Sequence, residues 1–583
     1  TPSSFGETNE DTGQWIPKRY SGSYGTNGFY LKFVSGAIGT DSSGQGNNYT
    51  ASNLANSDVV TDTPTNNFCT LNPLASAATF LEGNLIATTG TNANRGVVGS
   101  MTIPASGKWY WEFKPTDQGG GVAVGVGDRN SYSAFANNFL GNLAGTYMWY
   151  TNASNTQGSK YVNGSSTNVS QNFTNNDVIG VAFDIDAGTL TMYKNGSSQL
   201  EIASGLSGEF QPIFTDGSGS DTSTFEVNFG QKDFTHTPPS GYVALSTANL
   251  PEPAIPLPSA QFNTVLYAGT GSAQTISGVG FQPDFSWTKC RGAETWHRLV
   301  DAVRGSNKEY FSNDPYAEVN SAGGARAMTF ESDGFAWGGN NGDVNGSGRN
   351  YVSWNWKANG SGSTDTSGNV DATVSANPTA GFSIVKYAGT TDADGTVPHG
   401  LGVAPEMVFY KWGDSAWYCW TTVIDGSNDR LVLDRTDAKS TVSASYGSFT
   451  SDFIRSTGAN EATIAYCFAS IPGYSKVGSY TGNGNADGPF INTGFKPAWI
   501  MIKRTDAVKG WYIRDTAREP SNVMDTALLA QVPDAEVSSA NYNIDYLSNG
   551  FKPRSTHASS NANGGTYLYM AFAESPFKTS NAR

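Results

Sequence analysis

Residues 181–196 read VAFDIDAGTLTMYKNG, and this stretch decides the fold of the first half of the chain. Apolar residues alternate with smaller or polar ones, which is the period-2 pattern of a strand with one buried side. A turn containing glycine joins this run to a second alternating run, and Asn195-Gly196 follows as the dipeptide that two-residue hairpin turns prefer. The stretch therefore predicts a β-hairpin.

The same hairpin carries two acids, Asp184 and Asp186. We expect them to share a strand face, where a rise of about 3.3 Å per residue places them about 7 Å apart, and a glycosidase can use two carboxylates at such a separation. An Asp at a strand end more often bonds the backbone of its own turn. Because the apolar residues take the buried face, we interpret the pair as structural and predict no catalytic residues.

Composition favours an all-β protein. Glycine makes up 68 of 583 residues, aromatic residues 12% and charged residues only 15%, a balance typical of short strands joined by polar turns. The net charge of −15 argues against nucleic acid as a partner, because such binding rests on Lys and Arg neutralising phosphate. The chain has no run of 18 apolar residues, so we expect no membrane insertion.

Cysteine and histidine give no sign of a metal or cofactor site. They lie far apart, without CxxC or HExxH spacing, at Cys69, Cys290, Cys419, Cys467, His236, His297, His399 and His557. The chain also lacks a nucleophile elbow and a phosphate-binding loop. We predict free thiols, no cofactor and no metal.

The first half divides into a leader and a sandwich. Residues 1–65 are polar and rich in turns, with one strand-like run at 28–33. From 66 to 249 come many short strand-like runs, including KWYWEFK at 108–114, whose Trp109, Trp111 and Phe113 share one face. Such runs, without helices between them, predict an antiparallel β-sandwich. LPEPAIPLP at 250–258 then predicts a stiff linker over 250–261.

The second half contains a threefold repeat of about 100 residues. The landmarks recur in one order: Tyr267, Tyr387 and Tyr480; Pro283, Pro405 and Pro497; Trp296 to Asp301, Trp420 to Asp425 and Trp511 to Asp515; Phe335, Phe453 and Phe551. They predict small β-domains at 262–356, 381–474 and 475–583, with a flexible Gly/Ser/Thr connector at 357–380. Within them, 294–305 favours a strand and 523–532 a short helix.

Aromatic clusters are the best candidates for binding, because sugar rings stack on flat apolar faces. One cluster lies in the YMWYTN stretch, where Trp149 and Tyr150 are the candidate residues. The other contains Trp412, Trp417, Tyr418 and Trp420, of which Trp417 and Trp420 are the candidates. Core packing is the alternative for both clusters, since aromatic stripes usually face inward.

The order of KWYWEFK, VGVGD, the 181–196 hairpin and FEVNFG resembles a SPRY domain, a concanavalin-like β-sandwich, over about residues 75–245. Its Asp-x-x-x-Gly-x-x-x-x-Tyr-x-Asn-Gly hairpin carries most of the likeness. SPRY domains are generally binding modules without catalytic residues, and they bind through variable loops. The resemblance therefore implies binding without identifying the binding residues.

A narrower resemblance covers the leader and the repeats. TGQWIPKRYSGSYGTNGFYLKF looks like the leader before SPRY domains in structural proteins of tailed bacteriophages, and the repeat is similar to repeats of phage virion proteins. The resemblance implies a virion protein, such as a tail fibre, with other virion proteins and a host glycan or receptor as partners. We expect a homo-oligomer, with a trimer as first guess. The alternatives are a head-decoration or architectural protein and a glycan-cleaving enzyme.

Overall fold

The computed structural model describes residues 1–583 except 14, 64, 77, 91–95, 129–138, 153, 155, 218–220, 444–447 and 580–583. The fold is all-β, as predicted, and divides into two compact units, Thr1–Glu252 and Pro253–Arg583. The division falls inside the Pro-rich stretch predicted as a linker. Among the described residues, no helix is both long enough and apolar enough to cross a membrane.

The strands of the first unit are short and lie mostly in two antiparallel sheets. They are β1 (Gly6–Thr8), β2 (Trp15–Pro17), β3 (Thr79–Leu81), β4 (Ile86–Thr88), β5 (Gly96–Val98), β6 (Lys108–Asp117), β7 (Gly121–Asp128), β8 (Thr146–Asn152), β9 (Gly158–Val162), β10 (Ser165–Val169), β11 (Ile179–Asp184), β12 (Thr189–Lys194), β13 (Ser197–Ala203), β14 (Phe210–Asp216), β15 (Thr224–Asn228) and β16 (Val243–Ala244).

These strands build the predicted sandwich. One sheet has the order β10-β9-β8-β7-β14-β5, and the other has the order β13-β12-β11-β6-β15-β4-β3, with β16 pairing beside β6. The inner faces meet through aromatic contacts, such as Phe113 on β6 with Phe214 on β14 at 5.7 Å between ring centroids. The outer face of β6 is also covered, since Tyr110 packs against Phe234 and the Glu112 carboxylate accepts backbone N–H bonds from Thr235 and His236. KWYWEFK is therefore buried on both faces, not only on the face that Trp109, Trp111 and Phe113 share.

The 181–196 hairpin forms as predicted, with β11 pairing β12 in register from Ile179–Lys194 to Asp184–Thr189. The two acids differ from the expectation, because β11 ends at Asp184 and Asp186 lies in the turn, so they do not share a strand face. The next turn, Asn195-Gly196, has φ of 49° and 81°. Positive φ at both residues is typical of a type I′ hairpin turn.

The leader contains less regular structure than the sequence suggested. The run at 28–33 forms no strand and makes only an isolated bridge between Leu31 and Asp41, while β1 and β2 pair nearer the start of the chain. Aspartate 41 organises this loop, because its carboxylate accepts backbone N–H bonds from Tyr30, Ser43 and Asn47. Local side-chain bonds of this kind replace a sheet ladder in the leader.

The second unit contains three copies of one strand arrangement. Its strands are β17 (Phe262–Ala268), β18 (Gln274–Ser277), β19 (Phe285–Cys290), β20 (Arg298–Asp301), β21 (Lys308–Phe311), β22 (Val319–Asn320), β23 (Met328–Glu331), β24 (Gly334–Trp337), β25 (Asn350–Trp356), β26 (Ser363–Asp365), β27 (Ala372–Asn377), β28 (Phe382–Tyr387), β29 (Thr396–Pro398), β30 (Met407–Trp412), β31 (Tyr418–Thr421), β32 (Asp429–Val432), β33 (Ser440–Thr441), β34 (Phe453–Arg455), β35 (Thr463–Phe468), β36 (Ser475–Thr481), β37 (Ile491–Asn492), β38 (Phe495–Arg504), β39 (Trp511–Asp515), β40 (Thr526–Leu529), β41 (Val537–Ser538), β42 (Ile544–Leu547), β43 (Gly550–Pro553) and β44 (Thr566–Pro576). Short 3-10 helices occur at Pro2–Ser4, Asn56–Asp58, Leu140–Asn142, Pro258–Ala260, Ala540–Tyr542 and Phe577–Thr579.

Each copy has a main sheet of the same topology. The orders are β17-β25-β19-β20-β21-β22, then β28-β35-β30-β31-β32-β33 with β26 and β27 added at its edge, then β36-β44-β38-β39-β40-β41. In each copy the opening strand of the repeat pairs with its closing strand. The sequence landmarks lie at equivalent places in this topology. The repeated tyrosines, for example, are the last or next-to-last residues of the opening strands.

The inner faces of the three main sheets share one hydrophobic core. Phe262 of the first copy stacks on Phe572 of the third at 4.7 Å, and Phe285 stacks on Tyr466 of the second at 4.3 Å. Phe409 and Trp511 join the second copy to the third at 6.2 Å. Each main sheet carries a smaller core on its outer face, under the small sheets β18-β24-β23, β29-β34 and β37-β43-β42.

Polar contacts close the three copies into a ring. The Trp417 indole N–H of the second copy donates to the Phe311 carbonyl of the first at 2.7 Å, and Trp511 of the third donates to Val432 of the second at 2.9 Å. The first copy meets the third through the Thr295 backbone N–H, which donates to the Pro533 carbonyl at 2.9 Å. The three copies therefore fold as one body.

A buried lysine occupies the same position in each copy. Lys289, Lys411 and Lys503 lie four residues after Phe285, Met407 and Trp499, which pair with equivalent residues of the closing strands. None of the three side chains is exposed, and each Nζ donates to backbone carbonyls; Lys411, for example, reaches Gly413 and Ser415 in its own turn and Pro315 in the first copy. Burial lowers the pKa of each lysine to about 8.

Two predictions about the second unit need correction. The 357–380 segment is not only a connector, since it contains β26 and β27, which form a hairpin on the second main sheet. The helix predicted at 523–532 is instead β40, while 294–305 contains the expected strand β20. Sheet pairing outweighs local helix propensity at such short segments.

The aspartates of the repeated Trp-to-Asp landmark occupy the same position of the main sheet in only two of the three copies. Asp301 and Asp515 occupy the same register, opposite Phe285 and Trp499, but Thr421 takes this place in the second copy. Asp425 lies outside the strands and pairs with Lys439. The four cysteines are buried free thiols, as predicted.

Candidate binding cleft

The best candidate site is a cleft on the outer face of the second copy. It has a volume of about 340 Å³ and is lined by Trp412, Tyr418, Trp420, Arg430, Val442, Ser443 and Thr457. Strand alternation places these side chains there, because Phe409 and Cys419 point into the shared core while their neighbours on β30 and β31 point outward. The volume lies within the range of about 300–1,000 Å³ usual for ligand pockets.

An aromatic wall forms one side of the cleft. The rings of Trp412 and Tyr418 stack with centroids 5.2 Å apart and planes at 20°, and both side chains are half-buried. Trp420 forms a deeper surface, being almost completely buried against Tyr410 at 4.4 Å between centroids. The wall therefore offers flat apolar surface beside solvent.

Arg430 supplies the charge of the cleft. Its guanidinium carbon lies 5.2 Å from the centroid of the Tyr418 ring, within cation–π distance. The register of β31 and β32 places Arg430 directly opposite Trp420. Within the described part of the chain, its buried Nε has no hydrogen-bond partner and its guanidinium makes no ion pair with a carboxylate.

The structure separates the aromatic residues that the sequence had grouped. Trp420 lines the cleft, but Trp417 is fully buried in the shared core and offers no surface to a ligand. Trp149 is also fully buried, edge-on to Phe173 at 4.8 Å, so its candidacy as a platform is wrong. Tyr150 is half-buried and packs edge-on against neighbouring rings.

Sequence reasoning missed Arg430. It lies in a turn-rich stretch, NDRLV, that carries no motif, and only the pairing of β31 with β32 brings it beside the aromatic residues. The usable signal was an arginine alternating with apolar residues on a short strand, which is too weak to select one arginine among many.

The two acids of the sandwich hairpin have structural contacts. Burial raises the pKa of Asp184, but the Lys108 ammonium at 2.7 Å and the Ala187 backbone N–H at 3.0 Å outweigh it, so the pKa lies below its usual value. Asp186 accepts the Gly107 backbone N–H at 2.9 Å. Both carboxylates therefore fix the turn to β6. Of the described residues, no three His, Cys, Asp or Glu side chains cluster as a metal site would require.

A family model described as a domain of unknown function, DUF7483, matches residues 257–576, more than half of the chain. The chain belongs to the DUF7483 family. The match spans all three copies, in agreement with their single shared core, and the cleft lies within the DUF7483 region. A SPRY family model matches residues 108–232, which confirms the SPRY resemblance of the sandwich.

Solved structures similar to this chain include SPRY domains. The SPRY domain of human HERC1 shares 22% identity over 27% of this chain and 96% of that chain, with a TM-score of 0.23. The TRIM65 PSpry domain shares 15% identity over 28% of this chain and 92% of that chain, with a TM-score of 0.23. Stonustoxin shares 19% identity over 27% of each chain, with a TM-score of 0.22. No curated protein matches the chain.

Proposed function

We propose that this chain is a structural protein of a tailed-phage virion, a tail fibre or similar appendage, that binds a glycan of the host surface through the cleft of the DUF7483 region. The observation that supports glycan binding best is the stacked Trp412–Tyr418 pair beside Arg430 in a cleft of about 340 Å³. The location in a virion and the binding of a glycan are supported by different observations, and each is tested separately.

The chemistry of the cleft supports glycan binding. The C–H faces of a sugar ring pack on a flat aromatic face, and the hydroxyl groups need polar partners at its rim. Trp412 and Tyr418 supply the face, while Ser443, Thr457 and Arg430 supply hydroxyl and N–H groups around it. The cleft combines both requirements within one copy of the repeat.

The place in a virion is supported by the leader and repeat resemblance and by the surface of the leader. Several large apolar side chains there are about half exposed: Phe5, Trp15, Phe29, Phe33, Tyr49 and Leu54. Exposed apolar residues concentrated in one segment are typical of surfaces that pack against another protein. In the proposed virion the leader contacts other virion proteins, while the cleft contacts the host.

The binding half of the proposal is tested with Trp412→Ala. Loss of the stacked ring should weaken binding to host surface polysaccharide about tenfold or more, the usual effect of truncating a central aromatic contact. Surface plasmon resonance on immobilised polysaccharide measures this, with Tyr316→Ala as the matched control because Tyr316 is an exposed aromatic residue in the first copy.

The outcomes separate the candidate functions. Equal binding by the wild type and Trp412→Ala would contradict the cleft as the site, and absence of binding would favour an architectural or head-decoration protein. Release of oligosaccharide would favour the enzyme alternative. Immunogold labelling of virions tests the place, since label on the tail supports an appendage and label on the head supports decoration.

A further inference from the structure

We propose that the cleft recognises an acidic sugar, with Arg430 binding the carboxylate of a uronic acid. This inference rests on the proposed glycan binding and narrows it to a class of ligand. The observation behind it is a half-buried arginine beside a sugar-sized aromatic cleft, with no carboxylate at ion-pair distance in the part of the chain that the structure describes.

Other buried arginines of the second unit show what Arg430 lacks. Arg298 pairs with Glu309 at 2.6 Å, Arg304 with Asp301 at 2.5 Å, and Arg518 with Asp515 at 2.6 Å. A buried charge is costly without a partner, so such pairing is the rule. Arg430 has no carboxylate at ion-pair distance among the described residues, and the sequence has no Asp or Glu at the other positions.

Arg514 of the third copy also lacks an acid, but it differs from Arg430 in access. It has no solvent exposure and lies between Tyr512 and Tyr542, with its guanidinium carbon 5.9 Å and 5.8 Å from their ring centroids. No ligand reaches it from solvent in this conformation. Arg430 instead lines an open cleft.

In the first copy, the position equivalent to Arg430 is occupied by a glutamate. The pairing of β20 with β21 sets Glu309 opposite Val300, as the pairing of β31 with β32 sets Arg430 opposite Trp420. Glu309 of the first copy is therefore the counterpart of Arg430.

The counterpart of Tyr418 in the first copy is Arg298. Arg298 pairs with the preceding strand β19 at the same position at which Tyr418 pairs with β30. There the arginine and the carboxylate are both internal and form an ion pair at 2.6 Å, with Asp343 as a second partner of the arginine and Arg326 as a second partner of the carboxylate. In the second copy Arg430 takes the position of Glu309, Tyr418 takes the position of Arg298, and a cleft opens. A carboxylate from a ligand completes the pair that the first copy builds internally.

Arginine suits this role by its geometry. Its planar fork of N–H donors matches the two oxygens of a carboxylate, and stacking on an aromatic ring leaves the in-plane donors available. The aromatic wall holds the sugar ring beside it. Because the chain carries a net charge of −15, general attraction of polyanions cannot produce selectivity for an acidic glycan.

The test compares matched acidic and neutral probes. Oligosaccharides of galacturonic, glucuronic and mannuronic acid are immobilised beside their methyl esters, which keep the ring and remove the charge. The full chain should bind at least one acid about tenfold or more tightly than its ester, and Arg430→Gln should remove that preference, so that the acid and its ester bind with similar affinity. Arg430→Lys should restore only part of it, since lysine keeps the charge and loses the fork.

Arg349→Gln is the matched control, because Arg349 is an exposed arginine of the first copy whose loss changes net charge equally. Thermal unfolding of each variant verifies the fold. Equal binding of acids and esters by the wild type, or an unchanged preference in Arg430→Gln, would overturn the acidic ligand and leave glycan binding intact. Binding of no glycan, neutral or acidic, would overturn both proposals.

Discussion

At the scale of single residues, the three buried lysines are the least expected feature of the molecule. A lysine in a core normally has an acid beside it, yet the Nζ of Lys411 bonds three backbone carbonyls. The carbonyls belong to two copies of the repeat, so the lysine fixes a tight turn and an interface at once. Its recurrence in each copy indicates a structural role.

These lysines predict a rise of stability with pH. Burial lowers their pKa to about 8 in the folded state, below the ordinary 10.5, so the unfolded chain binds more protons between these values. The free energy of unfolding should increase from about pH 8 towards 10.5, by up to about 1.4 kcal/mol per pH unit for each lysine. Below pH 8 both states are protonated and this contribution is flat.

Urea denaturation of the wild type and Lys411→Met at pH 7.5 and 9.5 measures this. The wild type should gain stability relative to the variant at the higher pH, whereas Lys308→Met, at a partly exposed lysine, should follow the wild type. Comparison with the variant cancels the ionisation of tyrosines. Parallel pH profiles for the wild type and Lys411→Met would contradict the lysine explanation.

At the scale of elements, tight turns with positive φ set the register of the strands. The Asn195-Gly196 turn joins β12 to β13, and the Asn195 side chain accepts the Val178 N–H at 2.9 Å while its amide donates to Asp177 at 2.7 Å. The turn therefore ties three strands of the sandwich together. Register errors here would move side chains to the opposite face.

Gly196→Val should lower the free energy of unfolding of the first unit by about 1–3 kcal/mol, because a β-branched residue is strained at φ of 81°. An added Cβ would also lie 3.1 Å from the His236 ring. Chemical denaturation checks the value. Gly90→Val is the matched control, since a Cβ there meets none of the described residues within 4 Å and no positive φ is required. Equal losses in the two variants would count against the turn.

The sequence could predict these elements because their signals are local. Alternation and Asn-Gly locate the hairpin, and the four recurring landmarks locate the repeats. The cleft could be predicted only in part: Trp412, Tyr418 and Trp420 were grouped by proximity in the chain, but alternation sends Trp417 into the core. Arg430 could not be found, because cross-strand neighbours depend on a pairing that no local signal specifies.

At the scale of the whole molecule, the three copies stabilise one another through their shared core. Removal of the third copy would expose the surfaces of Phe262 and Trp356 that Phe572 and Trp499 cover. Burial of such side chains contributes about 1.5–3 kcal/mol each. A single copy thus has little reason to remain folded with its inner face in water.

We therefore expect residues 253–583 to unfold in one cooperative transition, and a chain ending at residue 474 to lose the fold of the remaining two copies. Calorimetry of the intact chain and binding of a hydrophobic dye to the shortened chain measure these effects. A chain ending at 579, which keeps all described strands, is the control. Separate unfolding transitions for the three copies would contradict a shared core. So would a shortened chain that binds no hydrophobic dye.

Because the three copies lie within one polypeptide, the outer face of each main sheet can evolve separately. In a homotrimer every substitution appears three times, so a new side chain must be tolerated at all three equivalent positions. Here a mutation alters one position only, and Glu309, Arg430 and Ala527 stand at one register in the three copies. Covalent linkage thus lets one copy acquire a specificity while the other two keep the scaffold intact.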